Sequence, residues 1–595
     1  MTPVASQGGA AGRIKSLVIV GGASLVALYA GFLRFSPAAC DELVRTCGYG
    51  WMAALTVLAG VAVARVVAES GGCRWLARTC WPSTRQTLLI TGVWLWLLNI
   101  DAPGYKILFD EPVQSSTAMT LHTEREFATT VRAYHVNEVF TVLKAYLDKR
   151  PPLFPFLVAV VHDVTGYRMS NAFIVNAVGT LGLVVLVWFL GRRYGGGPGG
   201  GGCAIALLAT LPLLGITATS AGMDLVNLTM LAAVWLAIVL YLDRPSEPRT
   251  MLMIVTVALL AYCRYESVLY VGGVAVAWVL SSWRRRSWKV EPIWGLLPLS
   301  LVLYAWHNTV LSNTPALWEL RPEQTHRFSF EYAANNLSHA GRFLFAVDRA
   351  LPNSALISIF GIVGLLVVLG GLVSRRTKLD TAEGTGLAIV GAGAGASFAM
   401  LMCYYWGELD DPIVSRLSLP LHLLFVVVTV AAWRQLAAES GRWFGGWRLV
   451  GLATGVVWLA ITVPAAAGDR YTTNNFMRRN FEWERRIVAQ FWPTPGLVIS
   501  NRSPICWLAD GIPSVSVDRA RLRLDELRWH MERHSFGTVL VMQRVLTRGA
   551  DGGWAVDATD VLPERCRLEE IAVRRLGATL TRVSRVVAID PEPAR

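Results

Sequence analysis

The sequence predicts a polytopic α-helical membrane protein, with about 13 transmembrane helices and a small C-terminal α/β extracytoplasmic domain. Three observations support this. Of 595 residues, 53% are hydrophobic and 16% charged, with a mean hydropathy of +0.43, whereas soluble globular domains carry about 25% charged residues. Apolar runs on the scale of a roughly 30 Å hydrocarbon core recur between 16 and 466. Arginines crowd alternate loops between those runs, as the positive-inside rule requires. That rule accounts for the net charge of +13. No stretch interleaves basic and aromatic residues as a single-strand binder does, so nucleic acid is not an expected partner.

The runs fall at 16–34, 50–68, 86–100, 170–190, 201–217, 225–241, 250–263, 267–282, 291–310, 354–373, 385–405, 417–433 and 447–466. The first follows Arg13 and Lys15, exceeds a signal-peptide core in length and lacks a cleavage site, so it reads as a retained anchor. Loops with Arg74/Arg78/Arg85, Arg192/Arg193, Arg244/Arg249, Arg284/Arg285/Arg286/Lys289, Arg375/Arg376/Lys378 and Arg434/Arg442/Arg448 share one side. This predicts a cytoplasmic N terminus and an external C terminus in a multi-pass protein of the cell (inner) membrane. Residues 1–85 read as an N-terminal hairpin, 86–466 as the main module and 467–595 as the outer domain.

Some segments need separate treatment. Leu153 to Thr165 is apolar but carries His162 and Asp163, and 15 residues of helix reach only about 22 Å. Counting it as a span would invert every later loop, so it is expected along the membrane surface. Met119 to Leu147 reads as one or two further surface helices, making 101–169 one external loop region; 311–353 is the second. Beyond Asp469, strands are expected at Gly496–Ser500 and Thr538–Met542, with helix over Ala520–His534 between them. The Gly195–Gly202 run lacks the Lys-Ser/Thr of a phosphate loop and reads as a flexible turn. Nine cysteines form no CxxC and no Cys/His cluster, so no metal is indicated; Cys40/Cys47 and Cys506/Cys566 are equally readable as disulfides or thiols.

Charged groups beside spans carry the functional reading, because ionisable groups at membrane depth are costly and mark substrate sites. Asp110-Glu111 opens the first large external loop, where an N-cap role competes with chemistry. Lys149-Arg150 precedes Pro151-Pro152 and serves either as a snorkelling pair or as a phosphate clamp. Arg264 and Glu266 interrupt an apolar stretch, Asp224 starts a span, and Asp410-Asp411-Pro412 leads to Arg416. A capping turn explains Asp410 and Asp411, but Arg416 at a span entrance is harder to dismiss. Asp110, Lys149, Asp224, Arg264 and Arg416 all fall on the external side, which cations otherwise avoid. Chemistry on a lipid-linked phosphate fits: a carboxylate to take a proton, cations to hold the leaving phosphate.

Phe109-Asp110-Glu111, then Lys149-Arg150-Pro151-Pro152-Leu153-Phe154-Pro155 leading to Gly166, then Asp411-Pro412 to Arg416 and Pro420 form an ordered set. It resembles the GT-C fold polyprenyl-phosphate-sugar-dependent glycosyltransferases: the protein O-mannosyltransferases, the lipid A aminoarabinose transferases and the related bacterial RgtA–D-like group. The likeness spans roughly 90–470. It departs from the pattern in placing the Asp-Glu pair after the third span rather than the first. The resemblance implies inverting transfer from a polyprenyl-phosphate sugar to a hydroxyl of a lipid, glycan or protein, at the outer face among membrane lipids. Asp110 would be the general base and Glu111 an orienting group; Lys149, Arg150, Asp224, Arg264, Glu266 and Arg416 would bind the donor's phosphate and sugar. Neither a Trp-Trp-Asp signature nor a metal-binding Asp-x-Asp is present, which implies a monophosphate donor and no metal or other cofactor. A transporter or flippase of a lipid-linked sugar is the rival reading. It fits less well, since such proteins carry midplane charges and repeated halves.

Overall fold

The computed structural model describes residues 10–75, 82–107, 110–136, 139–314, 324, 326–347, 351–374, 380–440, 451–491, 496–501, 504–548, 553–576 and 579–591. The protein is a polytopic helical membrane protein. In chain order come α1 (Ala10–Leu28), α2 (Pro37–Ser70), α3 (Thr84–Asn99), α4 (Asp110–Thr123), strands β1 (Thr129–Val136) and β2 (Val139–Tyr146), and α5 (Leu153–Thr165). Then follow α6 (Ser170–Tyr194), α7 (Pro198–Leu208), α8 (Pro212–Ala218), α9 (Asp224–Asp243), α10 (Glu247–Ala261), α11 (Leu269–Arg284) and α12 (Val302–Ser312). The bundle closes with α13 (Ala333–Leu344), α14 (Ala355–Val373), α15 (Ala382–Met402), α16 (Leu419–Ser440) and α17 (Val463–Gln490).

Local signals set these boundaries. Ser36 caps α2 by accepting from Ala39 N, Pro37 fills its first turn, and Gly71 ends it at φ 117°. Gln86 Oε1 accepts from Ser83 N at 2.9 Å to open α3. Trp188 on α6 and Trp235 on α9 are fully buried, and Trp235 Nε1 donates to Tyr194 Oη at 2.8 Å to tie those two helices.

Among the described residues, eight helices are long and apolar enough to cross a membrane, or nine if the bent pair α7–α8 is one span. The expected thirteen is therefore not matched by length and composition alone. The other five runs are short or interrupted. α3 and α10 have 16 and 15 residues, 291–310 is broken, 201–217 bends by 82° at Pro212, and the Gly451–Ala460 stretch is short. A proline removes a backbone donor and crowds the preceding turn, which explains the bend.

The region 119–147 departs from the expected surface helices. After α4 ends at Thr123, β1 and β2 form an antiparallel hairpin. Thr129, Thr130, Val131, Tyr134, Val136, Val139, Thr141 and Val142 are β-branched or aromatic, and they favour a pleated surface over a helix. The glycine run also departs from expectation. Gly199–Gly202 lie inside α7, packed on α6, and a Cβ at Gly201 would meet Trp188 atoms at 2.7–2.9 Å. The contact needs glycine for closeness rather than flexibility. Gly201→Leu is expected to cost at least about 1–3 kcal/mol through overpacking, read as a lower melting temperature in detergent.

Beyond α17, β3 (Gly496–Ser500), α18 (Pro504–Ala509), β4 (Ser514–Val515), α19 (Leu524–Glu532), β5 (Thr538–Arg548), β6 (Gly553–Val556), β7 (Cys566–Leu576) and β8 (Thr579–Ile589) build a six-stranded sheet. Its order is β4-β3-β5-β8-β7, with β6 on β5; β3 pairs parallel with β4 and β5, and the other pairs are antiparallel. Both expected strands are present, and they are paired with each other. α18 packs on α4 and β1, and Tyr167 Oη donates to Ala509 O. This sheet unit therefore buttresses the helix that begins with Asp110. Cys40, Cys47, Cys506 and Cys566 are free thiols.

Candidate active site

Four charged segments meet where helices begin. Asp110 is the first residue of α4, and Asp224 the first of α9. Arg264 and Glu266 sit at the 3₁₀ turn Tyr265–Val268 before α11, and Arg416 in the turn Ser415–Ser418 before α16. Helix N-termini expose unpaired N–H groups and positive dipole ends, so this junction favours anions.

The side chains form one alternating chain of charge. Asp110 Oδ1 accepts from Arg150 Nε at 3.0 Å and Nη2 at 2.6 Å, while its Oδ2 accepts from Arg416 Nη2. Arg416 Nη1 donates to Asp224 Oδ2 at 3.0 Å, and Asp224 Oδ1 accepts from Arg264 Nη1. Arg264 Nε donates to Glu266 Oε1 at 2.6 Å, and Arg150 Nη1 donates to Asp148 Oδ1 at 2.7 Å. Three guanidinium groups thus face four carboxylates. Arg416 is the central bridge, and its side chain is 12% exposed. Burial raises the Asp110 carboxyl, but Arg416 and then Arg150 hold it well below the ordinary carboxylate range overall. In this state Asp110 is a firmly ionised, weak base.

The other expected residues lie around this chain. Lys149 is half-buried beside Arg150. Glu111 lies within electrostatic reach of Arg416, but its carboxylate oxygens bind backbone amides. Its Oε2 accepts from Lys106 N at 2.9 Å and Ala221 N at 3.1 Å, and its Oε1 from Ile107 N at 3.2 Å. Burial pushes this carboxyl up to about 7 against the pull of the Lys106 and Ala221 amides. Glu111 therefore pins the loop before α4 to the turn before α9. Glu111→Ala is expected to lower the melting temperature, because each buried N–H left unpaired costs about 1–3 kcal/mol; Glu111→Gln keeps an acceptor and recovers most of the loss. Parallel melts of both variants check this. Asp410 binds His339 Nδ1 at 2.7 Å and Arg342 Nη1 at 3.0 Å, and Asp411 Oδ1 accepts from Ile413 N and Val414 N. The capping explanation holds for Asp411, whereas Asp410 is an ion-pair partner of the α13 side chains His339 and Arg342.

Two residues escaped sequence reasoning. Asp148 lies two positions before Arg150, and its Oδ2 accepts from Arg150 N at 2.9 Å. Gln114 lies one helical turn from Asp110 on the same face, is 1% exposed, and has neither amide atom hydrogen-bonded among the described residues. The i, i+4 spacing from Asp110 was the available signal.

A second charged layer marks the other end of the bundle. Arg193 at the end of α6 binds Asp243 at the end of α9 at 2.5 Å and Glu383 at the start of α15 at 2.8 Å. Between the two layers lie the 20 residues of α9, about 30 Å of helix, one hydrocarbon thickness.

Residues 149–307 match the family model of dolichyl-phosphate-mannose-protein mannosyltransferases. The solved structure of ArnT from Cupriavidus metallidurans in the apo state is similar at TM-score 0.51 and 12% identity, over 85% of this chain and 98% of that one. The same protein bound to undecaprenyl phosphate gives 0.51 and 12% over 85% and 99%. The arabinosyltransferase EmbB from Mycobacterium smegmatis, at TM-score 0.33 and 13% identity over 74% and 43%, is too distant to inform the fold. No curated protein sequence matches the chain. The chain has the GT-C fold, and the family resemblance read from its motifs stands.

Proposed function

We propose that the protein is an inverting glycosyltransferase that moves a sugar from a polyprenyl-phosphate carrier to an acceptor hydroxyl at the outer face of the cytoplasmic membrane. The observation that carries this reading is the buried Arg150–Asp110–Arg416–Asp224–Arg264 chain at converging helix N-termini. A donor phosphate competes with the carboxylates for the three guanidinium groups, which bind phosphate oxygens in fork geometry. As Arg150 and Arg416 turn to phosphate, Asp110 loses the partners that depress its carboxyl and becomes a usable base. Asp110 then takes the proton of the acceptor hydroxyl, whose oxygen attacks the anomeric carbon. The carbon–oxygen bond to phosphate breaks, and its electron pair leaves with the lipid phosphate, stabilised by the guanidinium groups. The Gln114 amide is available for a hydroxyl of the bound sugar.

Orientation follows from charge. The layer at Arg193 and Asp243 adjoins Arg192, Arg284, Arg285, Arg286 and Lys289, so the positive-inside rule assigns it to the cytoplasm and the Asp110 layer, with the C-terminal sheet, to the outside. Donors with a lipid monophosphate need no nucleotide there.

Purified protein given a polyprenyl-phosphate sugar and an acceptor extract should release free lipid phosphate and a glycosylated product, both read by mass spectrometry. A chelator should leave the rate unchanged, because side-chain cations meet the leaving phosphate. Movement of intact donor across a vesicle without lipid phosphate release would instead mean a flippase.

A further inference from the structure

The loop from α15 to the Arg416 turn carries Tyr404-Tyr405-Trp406, and its backbone pairs with 327–329 of the preceding outer loop. Tyr405 N donates to Arg327 O and Ser329 N to Cys403 O, both at 2.9 Å. The side-chain amide of the buried Asn336 donates to Met402 O at 2.9 Å and Tyr404 O at 2.8 Å. Gln324 Nε2 donates to Tyr405 O at 3.0 Å. Backbone held this firmly fixes a shelf of rings. Phe328 and Tyr404 meet at 5.2 Å between centroids, and Tyr404 and Tyr405 at 4.6 Å. Phe328 is 52% exposed, while Tyr404, Tyr405 and Trp406 are half-buried. The shelf borders the charged junction. Glu266, the last member of that chain, lies within electrostatic reach of Tyr404 and Tyr304. Its Oε1 accepts from Arg264 at 2.6 Å, but its Oε2 has no hydrogen-bond partner among the described residues, and the side chain is 26% exposed.

We infer that this shelf seats a sugar ring of the acceptor, so that the acceptor hydroxyl belongs to an oligosaccharide. The inference rests on the transferase reading and adds to it the class of acceptor. A sugar ring has apolar C–H faces and a rim of hydroxyls, so it stacks on aromatic rings while a hydroxyl donates to an open carboxylate. Phe328 and Tyr404 offer the first contact and Glu266 Oε2 the second. A peptide laid here as a strand would need backbone groups to pair with. Every N–H from 403 to 405 and every carbonyl from 402 to 405 is already bonded. A hydrocarbon chain would cover the Glu266 carboxylate without a hydrogen bond, which is costly. The shelf also lies beyond the reacting hydroxyl, because Asp224 and Arg264 stand between Glu266 and the Arg416–Asp110 pair. An acceptor that reaches both Asp110 and the shelf has more than one ring.

The test uses the full-length protein in nanodiscs with defined probes: hexose and pentose oligosaccharides, their monosaccharide methyl glycosides, and serine- and threonine-rich peptides. At least one oligosaccharide series should bind without any donor present, and more tightly than its monosaccharide. Tyr404→Ala should weaken that binding about tenfold, the loss of one stacked ring. Phe328→Ala, at a more exposed position, should do the same with an unchanged melting curve, which separates lost stacking from misfolding. Tyr404→Trp keeps a ring and should restore binding. With a polyprenyl-phosphate sugar, both alanine variants should raise KM for the oligosaccharide and not for the donor. Binding of no oligosaccharide, or equal binding in the alanine variants, overturns the inference. So does an alanine variant that raises KM for a peptide or a lipid acceptor instead. Ring-dependent oligosaccharide binding without any sugar transfer would uphold the shelf while refuting the transferase reading, so the two failures are separable.

Discussion

Asp110→Asn is expected to abolish transfer while binding lipid phosphate at least as tightly as the native protein. The amide keeps the shape of the carboxylate but cannot take the acceptor's proton, a loss of typically 10²–10⁴-fold in rate. It also removes one negative charge from between Arg150 and Arg416, which Asp110 now neutralises. An incoming phosphate then meets less competition. Rate and affinity should thus move in opposite directions, a combination that misfolding does not produce. The rate is read by release of lipid phosphate, and affinity by native mass spectrometry or a fluorescent lipid phosphate. Near-native turnover in the Asn variant would place the base elsewhere.

Arg416→Met carries the second large effect, and it falls on stability and activity together. Arg416 bridges Asp110 and Asp224, with side-chain exposures of 12%, 20% and 6% for the three groups. Removing one member of a buried pair leaves an uncompensated charge and costs about 3–5 kcal/mol. The melting temperature should fall clearly, and no condition should restore transfer. Arg416→Lys separates the two roles. Lysine keeps the charge but offers a point rather than a planar fork, so it cannot serve two carboxylates and a phosphate at once. It should recover much of the stability while turnover stays more than tenfold down.

How far the sequence revealed this arrangement differed from residue to residue. Asp110, Lys149, Asp224, Arg264 and Arg416 stand out because each interrupts or opens an apolar run, where a charge needs a partner; the residue that binds Asp110 is Arg150, the neighbour of Lys149. Their convergence could be inferred from loop parity alone, since parity decides which helix ends share a membrane face. Adjacency to Asp110 says nothing about where Glu111 points. On a helix, successive residues point about 100° apart, and Glu111 turns inward to backbone amides. Asp148 was invisible for a related reason. Its partner is two residues away, in a turn whose geometry is set by Pro151 and Pro152. The β1–β2 hairpin is not legible from amphipathicity at helical period, because polar and apolar residues mix along it; only its β-branched content favours strand. The tight α6–α7 contact at Gly201 depends on a neighbour, Trp188, that only packing identifies.

A lipid phosphate is expected to take the place of carboxylates among Arg150, Arg264 and Arg416. An electron cryomicroscopy map of the protein with bound polyprenyl phosphate tests it most directly. The phosphate should lie within hydrogen-bond distance of at least two of these guanidinium groups, with the Asp110 carboxylate released from one of its arginines and open to the outer face. Phosphate density at the opposite layer, beside Arg193 and Arg284, or an Asp110–Arg416 pair unchanged with phosphate bound elsewhere, would rule this exchange out.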